Sequence, residues 1–137
     1  ALATLMPIVA GLGGNAGTQT LAVTVRALAT NQLTAANAWR AVRREIAIAM
    51  LNGATVAVVI GFAVTAIFQN PMLGAVIATA MMANIVIAGM AGVFVPLTLE
   101  KLEADPAIAS SIFVTMTTDS MGFLVFLGLA TISGLVG

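Results

Sequence analysis

The chain contains no cysteine and no histidine. Their absence removes disulfide frameworks, zinc sites built from the usual ligands, and any catalytic scheme that needs a thiolate or an imidazole. It also leaves the redox compartment unreadable. Charge is the second scarcity: five basic and five acidic side chains make up 7% of 137 residues and cancel to zero. Soluble domains carry about a quarter charged residues, so this chain could not clothe a globular surface with polar groups. A neutral balance without a basic patch also argues against a nucleic-acid partner. No nucleophile–base pair or cluster for a metal-activated water can be assembled from what remains, so an enzyme is not expected.

What is present is apolar. Hydrophobic residues make up 61% of the chain, and runs of about 20 such residues are what a helix needs to cross a bilayer core. The fold class expected is an all-α integral membrane protein, a polytopic bundle forming one domain over residues 1–137. Four spans are expected, at about residues 2–28, 46–68, 72–99 and 107–136. Asp105 as N-cap and Pro106 in the first turn suit the start of the last span. Between the first two spans, Thr30 to Glu45 contains Trp39, Arg40, Arg43 and Arg44. Thr34 is a reasonable cap for a short amphipathic helix at the interface, with a plain charged loop as the alternative. Those arginines place this connection in the cytoplasm, since cytoplasmic loops are enriched in Lys and Arg. By parity the Glu100–Glu103 connection is cytoplasmic too, and both termini fall outside, as expected for a multi-pass protein of the cell's inner (plasma) membrane. The first residue, Ala1, lies almost at the start of a span without a preceding signal, so the sequence reads as a piece of a longer protein with at least one helix upstream.

Asp119 is the only charged side chain in the interior of a span. A carboxylate at mid-bilayer costs roughly 2.5–3.5 kcal/mol on insertion scales, so it should face protein or water. A protonated Asp119 bonded to a neighbouring helix is the bland account. Ser111, Thr115, Thr118, Asp119 and Gly122 recur at steps of three and four, which predicts one polar stripe on the last helix. A second polar segment, Gly11 to Gln19, interrupts the first span. Gly13 and Gly17 form a GxxxG pair suited to close helix packing. Asn15 and Gln19 put two amides on one face, and glycines here could expose backbone carbonyls to a cavity. Pro7 is expected to kink this helix. Asn84 and Asn52 read more readily as interhelical hydrogen bonds than as ligands. The eight methionines are scattered and read as packing rather than as a soft-metal path.

One carboxylate, hydroxyls, amides and carbonyls are hard oxygen donors, which suit Mg²⁺, Ca²⁺ or Mn²⁺ and do not rank them. A single carboxylate is too little charge for a dehydrated divalent cage, whereas Mg²⁺ sheds water reluctantly and would be held hydrated. A homodimer with the last helix beside the two-fold axis would bring two Asp119 carboxylates together.

The stretch Pro7 to Gln19 closely resembles the signature of the MgtE magnesium transporters. So do Asn84-Ile85-Val86 with Ala88-Gly89, Asp105-Pro106-Ala107, and Thr117-Thr118-Asp119 followed by Gly122-Phe123. The resemblance covers essentially the whole chain in order. It implies a five-helix membrane domain, of which this chain would hold the last four. It also implies a homodimer in the lipid bilayer with a Mg²⁺ pore on the dimer axis, and cytosolic regulatory domains on the same full-length chain. The pore carboxylate maps onto Asp119, and neighbouring pore positions onto Gly11, Gly14, Asn15, Thr18, Ser111 and Thr115. Two rival functions are an ion-coupled secondary transporter, in which Asp119 would carry protons, and a membrane anchor that assembles through GxxxG.

Overall fold

The structure, a computed structural model, describes residues 2–31, 34 and 36–135. Four helices account for nearly all of them: α1 (Leu2–Ala29), α2 (Ala38–Phe68), α3 (Pro71–Lys101) and α4 (Pro106–Ile132). No strand occurs among the described residues, so the all-α bundle holds. α2, α3 and α4 are each long and apolar enough to cross a membrane. α1, at 28 residues, is long enough, but the polar Gly11–Thr20 segment dilutes its apolar character.

Local chemistry explains the helix starts. The Asn70 side chain accepts from the backbone N–H of Met72 (3.1 Å) and Leu73 (3.2 Å), and Pro71 takes the first helical position of α3. Gln69 turns the chain with φ at 52°. Asp105 accepts from the Ala107 N–H at 2.9 Å with Pro106 following it, as the sequence predicts. Both devices satisfy N–H groups that a helix end otherwise leaves orphaned.

Three details depart from the sequence reading. No separate interfacial helix begins at Thr34 among the described residues. The Thr34 N–H donates to the Asn37 side chain at 2.7 Å, and α2 then runs unbroken from Ala38 through the arginines into the span. Residues 32, 33 and 35 of that connection lie outside the described residues. The Gly11–Gln19 segment does not interrupt α1, which is one helix from Leu2 to Ala29. α4 ends at Ile132 rather than 136, where Ser133 caps it and Gly134 takes a φ of 82°; residue 136 lies outside the described residues.

α3 is the hub, packed against each of the other three helices, while α1 also packs on α4 and α2 leans on α3 almost alone. Small residues make the close approaches. Along α2, Ala49, Gly53 and Gly61 recur in register with Gly89, Met82 and Gly74 of α3. A Cβ on Gly74 would meet the Thr65 hydroxyl and would stand 2.7 Å from the Gly61 carbonyl. Along α1, Gly13 meets Asn84, Gly17 meets Ala88, and Thr20 meets Gly92, all on α3. Where lipid tails are as apolar as leucine, such small-residue seams supply the packing energy that water exclusion cannot. A cluster of Leu5, Val9, Leu73, Ile77, Met81 and Phe126 fills the end of the bundle where α1 begins and α4 finishes.

Candidate functional site

Asp119 has 13 residues of α4 on either side, 106–118 and 120–132, so it stands midway along the helix. Asn15 is almost midway along α1, with 13 residues before it and 14 after. The two helices meet in antiparallel order. A Cβ on Gly17 would lie 2.7 Å from Val114, one on Gly14 3.7 Å from the Thr118 hydroxyl, and one on Gly122 3.5 Å from Ala10. That register sets Asp119 level with Gly11–Asn15, Thr115 level with Asn15–Thr18, and Ser111 level with Thr18 and beyond.

The buried row of α4 is Ser110, Val114, Thr118, Gly122, Phe126 and Ala130. One residue further round lie Ser111, Thr115 and Asp119, all exposed. The polar stripe expected from spacing is therefore two rows, with Thr118 and Gly122 turned inward and the other three left open. On α1 the same division holds: Gly13 and Gly17 are buried, Gly11, Asn15 and Thr18 are exposed, and Gly14 is half-covered by α4. Residues at 100° steps fix which sides these are. The open row of α1 lies beyond the α4 contact, away from α3. The open row of α4 lies beyond the α1 contact, also away from α3. Both rows thus flank one seam on its outer side and form a continuous polar face, with all seven expected site residues on it.

The chemistry of this face is oxygen-rich. The Thr18 hydroxyl donates to the Gly14 carbonyl at 2.8 Å, so its hydrogen is committed and its lone pairs remain for donors such as metal-bound water. Among the described residues Asp119 has no ion-pair or side-chain hydrogen-bond partner. No cluster of three or more His, Cys, Asp or Glu occurs among them either. The described residues therefore offer one carboxylate midway along α4, without the further acidic ligands of a closed cage.

Residues 6–129 match the MgtE family, described as divalent cation transporters. The chain belongs to the MgtE family. It is 39% identical over 132 residues to the magnesium transporter MgtE of Bacillus subtilis, 36% over 130 to that of Enterococcus faecalis, and 30% over 132 to that of Thermus thermophilus. These alignments cover 95–96% of this chain and 29% of each relative, so the chain spans less than a third of the length of the MgtE proteins it matches.

Within this MgtE bundle, α3 supports the polar face from behind. Asn84 is fully buried, and its Nδ2 donates to the Val9 carbonyl of α1 at 3.0 Å. The amide sits between Gly13 of α1 and Gly122 of α4, occupying the space both glycines leave. The interhelical bond expected of Asn84 is present, but its acceptor is a backbone carbonyl, which no side-chain pattern could reveal. Asn52, given the same expectation, is exposed instead and lines a cleft between α1 and α2. That cleft, about 240 Å³, opens on the α2 side of α1; Gln19, one turn from Asn15, lines it, but none of the seven expected site residues does.

Proposed function

We infer that this chain forms the permeation unit of a Mg²⁺ transporter in a single domain over residues 1–137, in which α1 also crosses the membrane. Two copies meet across the polar faces described above. Asp119, Thr115 and Ser111 of α4 and Gly11, Gly14, Asn15 and Thr18 of α1 then line a pore on the two-fold axis. The observation that carries this reading is the exposure of Asp119 at the middle of an apolar helix, on one face with the open row of α1. Such a face is costly against lipid and suited to water or to its own copy.

Two Asp119 carboxylates supply the negative charge that one chain lacks, and the surrounding hydroxyls and amides hydrogen-bond the waters of a hydrated ion. Mg²⁺ fits because it keeps its waters; the names of the relatives point to the same ion. The arginine-bearing start of α2 lies on the cytoplasmic side. The remaining length of the full protein supplies cytosolic regulatory domains.

The test is divalent flux into liposomes with the full-length protein, comparing wild type with Asp119→Asn. Loss of Mg²⁺ flux with retained dimer is expected; equal flux would remove the central role of Asp119. Flux that requires a proton gradient would instead favour the coupled-transporter reading.

A further inference from the structure

The start of α2 borders a cavity apart from the polar face. Arg40 and Arg44, one helical turn apart, line a cavity of about 220 Å³ with Thr24 and Val23 of α1, Val93 of α3 and Glu45. The volume equals roughly seven waters, room for a phosphate and its nearest substituents. Arg44 and Glu45 also line the adjoining cleft, which continues along α1 and α2 to Gln19 and Asn52. The two spaces, together the crevice between α1 and α2, share Val23, Arg44 and Glu45 in their linings. Among the described residues, neither Arg40 nor Arg44 has an ion-pair or hydrogen-bond partner. Both are exposed at the cavity's rim, which leaves their guanidinium groups open to an anion that enters it.

Helix length sets the depth of this crevice. α2 has 31 residues, about 46 Å at 1.5 Å per residue, against a hydrocarbon core of about 30 Å. With the uncharged run from Ile46 to Phe68 in the core, Arg40 and Arg44 stand in the headgroup layer, beside an exposed Trp39 suited to that zone. Gln19 and Asn52 extend the polar lining inward from there.

We propose that this crevice binds the headgroup of an anionic, hydroxyl-bearing phospholipid. Its phosphate is held by Arg40 and Arg44, and its hydroxyls donate to Glu45. The charge count selects the class. Two arginines and one glutamate leave the lining at +1, which a singly anionic headgroup neutralises and a zwitterionic one does not. Guanidinium forks match phosphate oxygens in pairs, so each arginine makes a directed contact rather than a diffuse one.

The experiment uses full-length protein reconstituted in phosphatidylcholine alone or in equal parts phosphatidylcholine and phosphatidylglycerol. Retained lipid is counted by native mass spectrometry, and thermal unfolding is followed in parallel. Wild type is expected to retain phosphatidylglycerol and to unfold at higher temperature in the mixed vesicles. Arg40→Gln and Arg44→Gln are each expected to weaken retention about fivefold, and the double variant about thirtyfold, while the double Lys variant, which keeps the charge but not the paired contacts, recovers only part of it. Arg43 does not line the crevice, so Arg43→Gln should leave retention unchanged. Equal loss from Arg43→Gln would reduce the effect to surface charge and overturn the site. Inorganic phosphate that displaces the lipid at millimolar concentration would overturn the lipid as occupant. Neither readout depends on Mg²⁺ flux, so the result stands apart from the fate of the pore reading.

Discussion

Replacing Gly13 with alanine is expected to destabilise the bundle through Asn84, and only through Asn84. The added Cβ would collide with the Asn84 Nδ2 and stand 2.9 Å from its Cγ. The amide cannot simply swing aside, because it is fully buried and Nδ2 is tied to the Val9 carbonyl. Gly122 closes the other side, where an added Cβ would lie 2.8 Å from the same nitrogen. Overpacking of this kind costs about 1–3 kcal/mol, and losing an interhelical hydrogen bond in a membrane adds about 0.6 kcal/mol. Gly13→Ala should therefore cost roughly 1.6–3.6 kcal/mol. Asn84→Ala behaves differently. It loses the bond but also removes Oδ1, which is buried without a partner, and an unpaired buried carbonyl carries a penalty of about 1–3 kcal/mol. Its net effect should stay within about 1 kcal/mol. In the double variant the new methyl enters the space the amide vacated, so Gly13→Ala should add almost nothing on the Asn84→Ala background. Reversible unfolding of the full-length protein in mixed detergent micelles, taken round the four corners of the cycle, measures the coupling. Costs that add to within about 0.5 kcal/mol would refute the reasoning, since contacting residues must couple and independent ones need not.

Ser110 is buried on α4 with a hydroxyl that has no hydrogen-bond partner among the described residues, so Ser110→Ala should be neutral or stabilising by up to about 1 kcal/mol; a loss of that size in the same unfolding assay would overturn this. Asp105→Ala and Asn70→Ala each remove a side-chain cap and should cost about 1 kcal/mol. Hydrogen exchange should then quicken in the first turn of α4 or of α3 and leave the opposite ends unchanged.

Much of the fold follows from pattern. The long apolar helices α2, α3 and α4, the Asp105-Pro106 start and the close packing of Gly13 and Gly17 are local in origin, set by apolar length, by orphaned N–H groups and by the absence of a side chain. The division of the polar stripe is not local. Thr118 and Asp119 are adjacent in sequence and 100° apart on the helix; only the position of α1 decides that Thr118 packs and Asp119 stays open. The Thr34 cap failed for a related reason. Thr34 and Asn37 are both residues that favour helix starts, and the turn they make with each other moves the helix start to Ala38. The Arg40–Arg44 crevice needed α1 and α2 to lie side by side over α3, and nothing in the spacing of the arginines alone specifies that.

The three mid-helix polar residues divide the labour along a single level of the bundle. Asn84 faces inward from α3 and is closed off by two glycines, while Asn15 and Asp119 face outward from α1 and α4. The inward amide fixes the relative height of α1 through the Val9 carbonyl, two residues before Gly11 on the open row. The Gly122 contact ties α4 to the same amide, three residues after Asp119. One buried side chain thereby sets the register of both rows that carry the polar face. The Gly14–Thr118 and Ala10–Gly122 contacts set Asp119 level with Gly13, so a displacement of about 3 Å, two helical rises, between α1 and α4 would carry it to the level of Asn15. On the pore reading, Asn84 then acts as a positioning residue, and variants that relax the Gly13–Asn84–Gly122 stack should alter ion flux before they unfold the bundle.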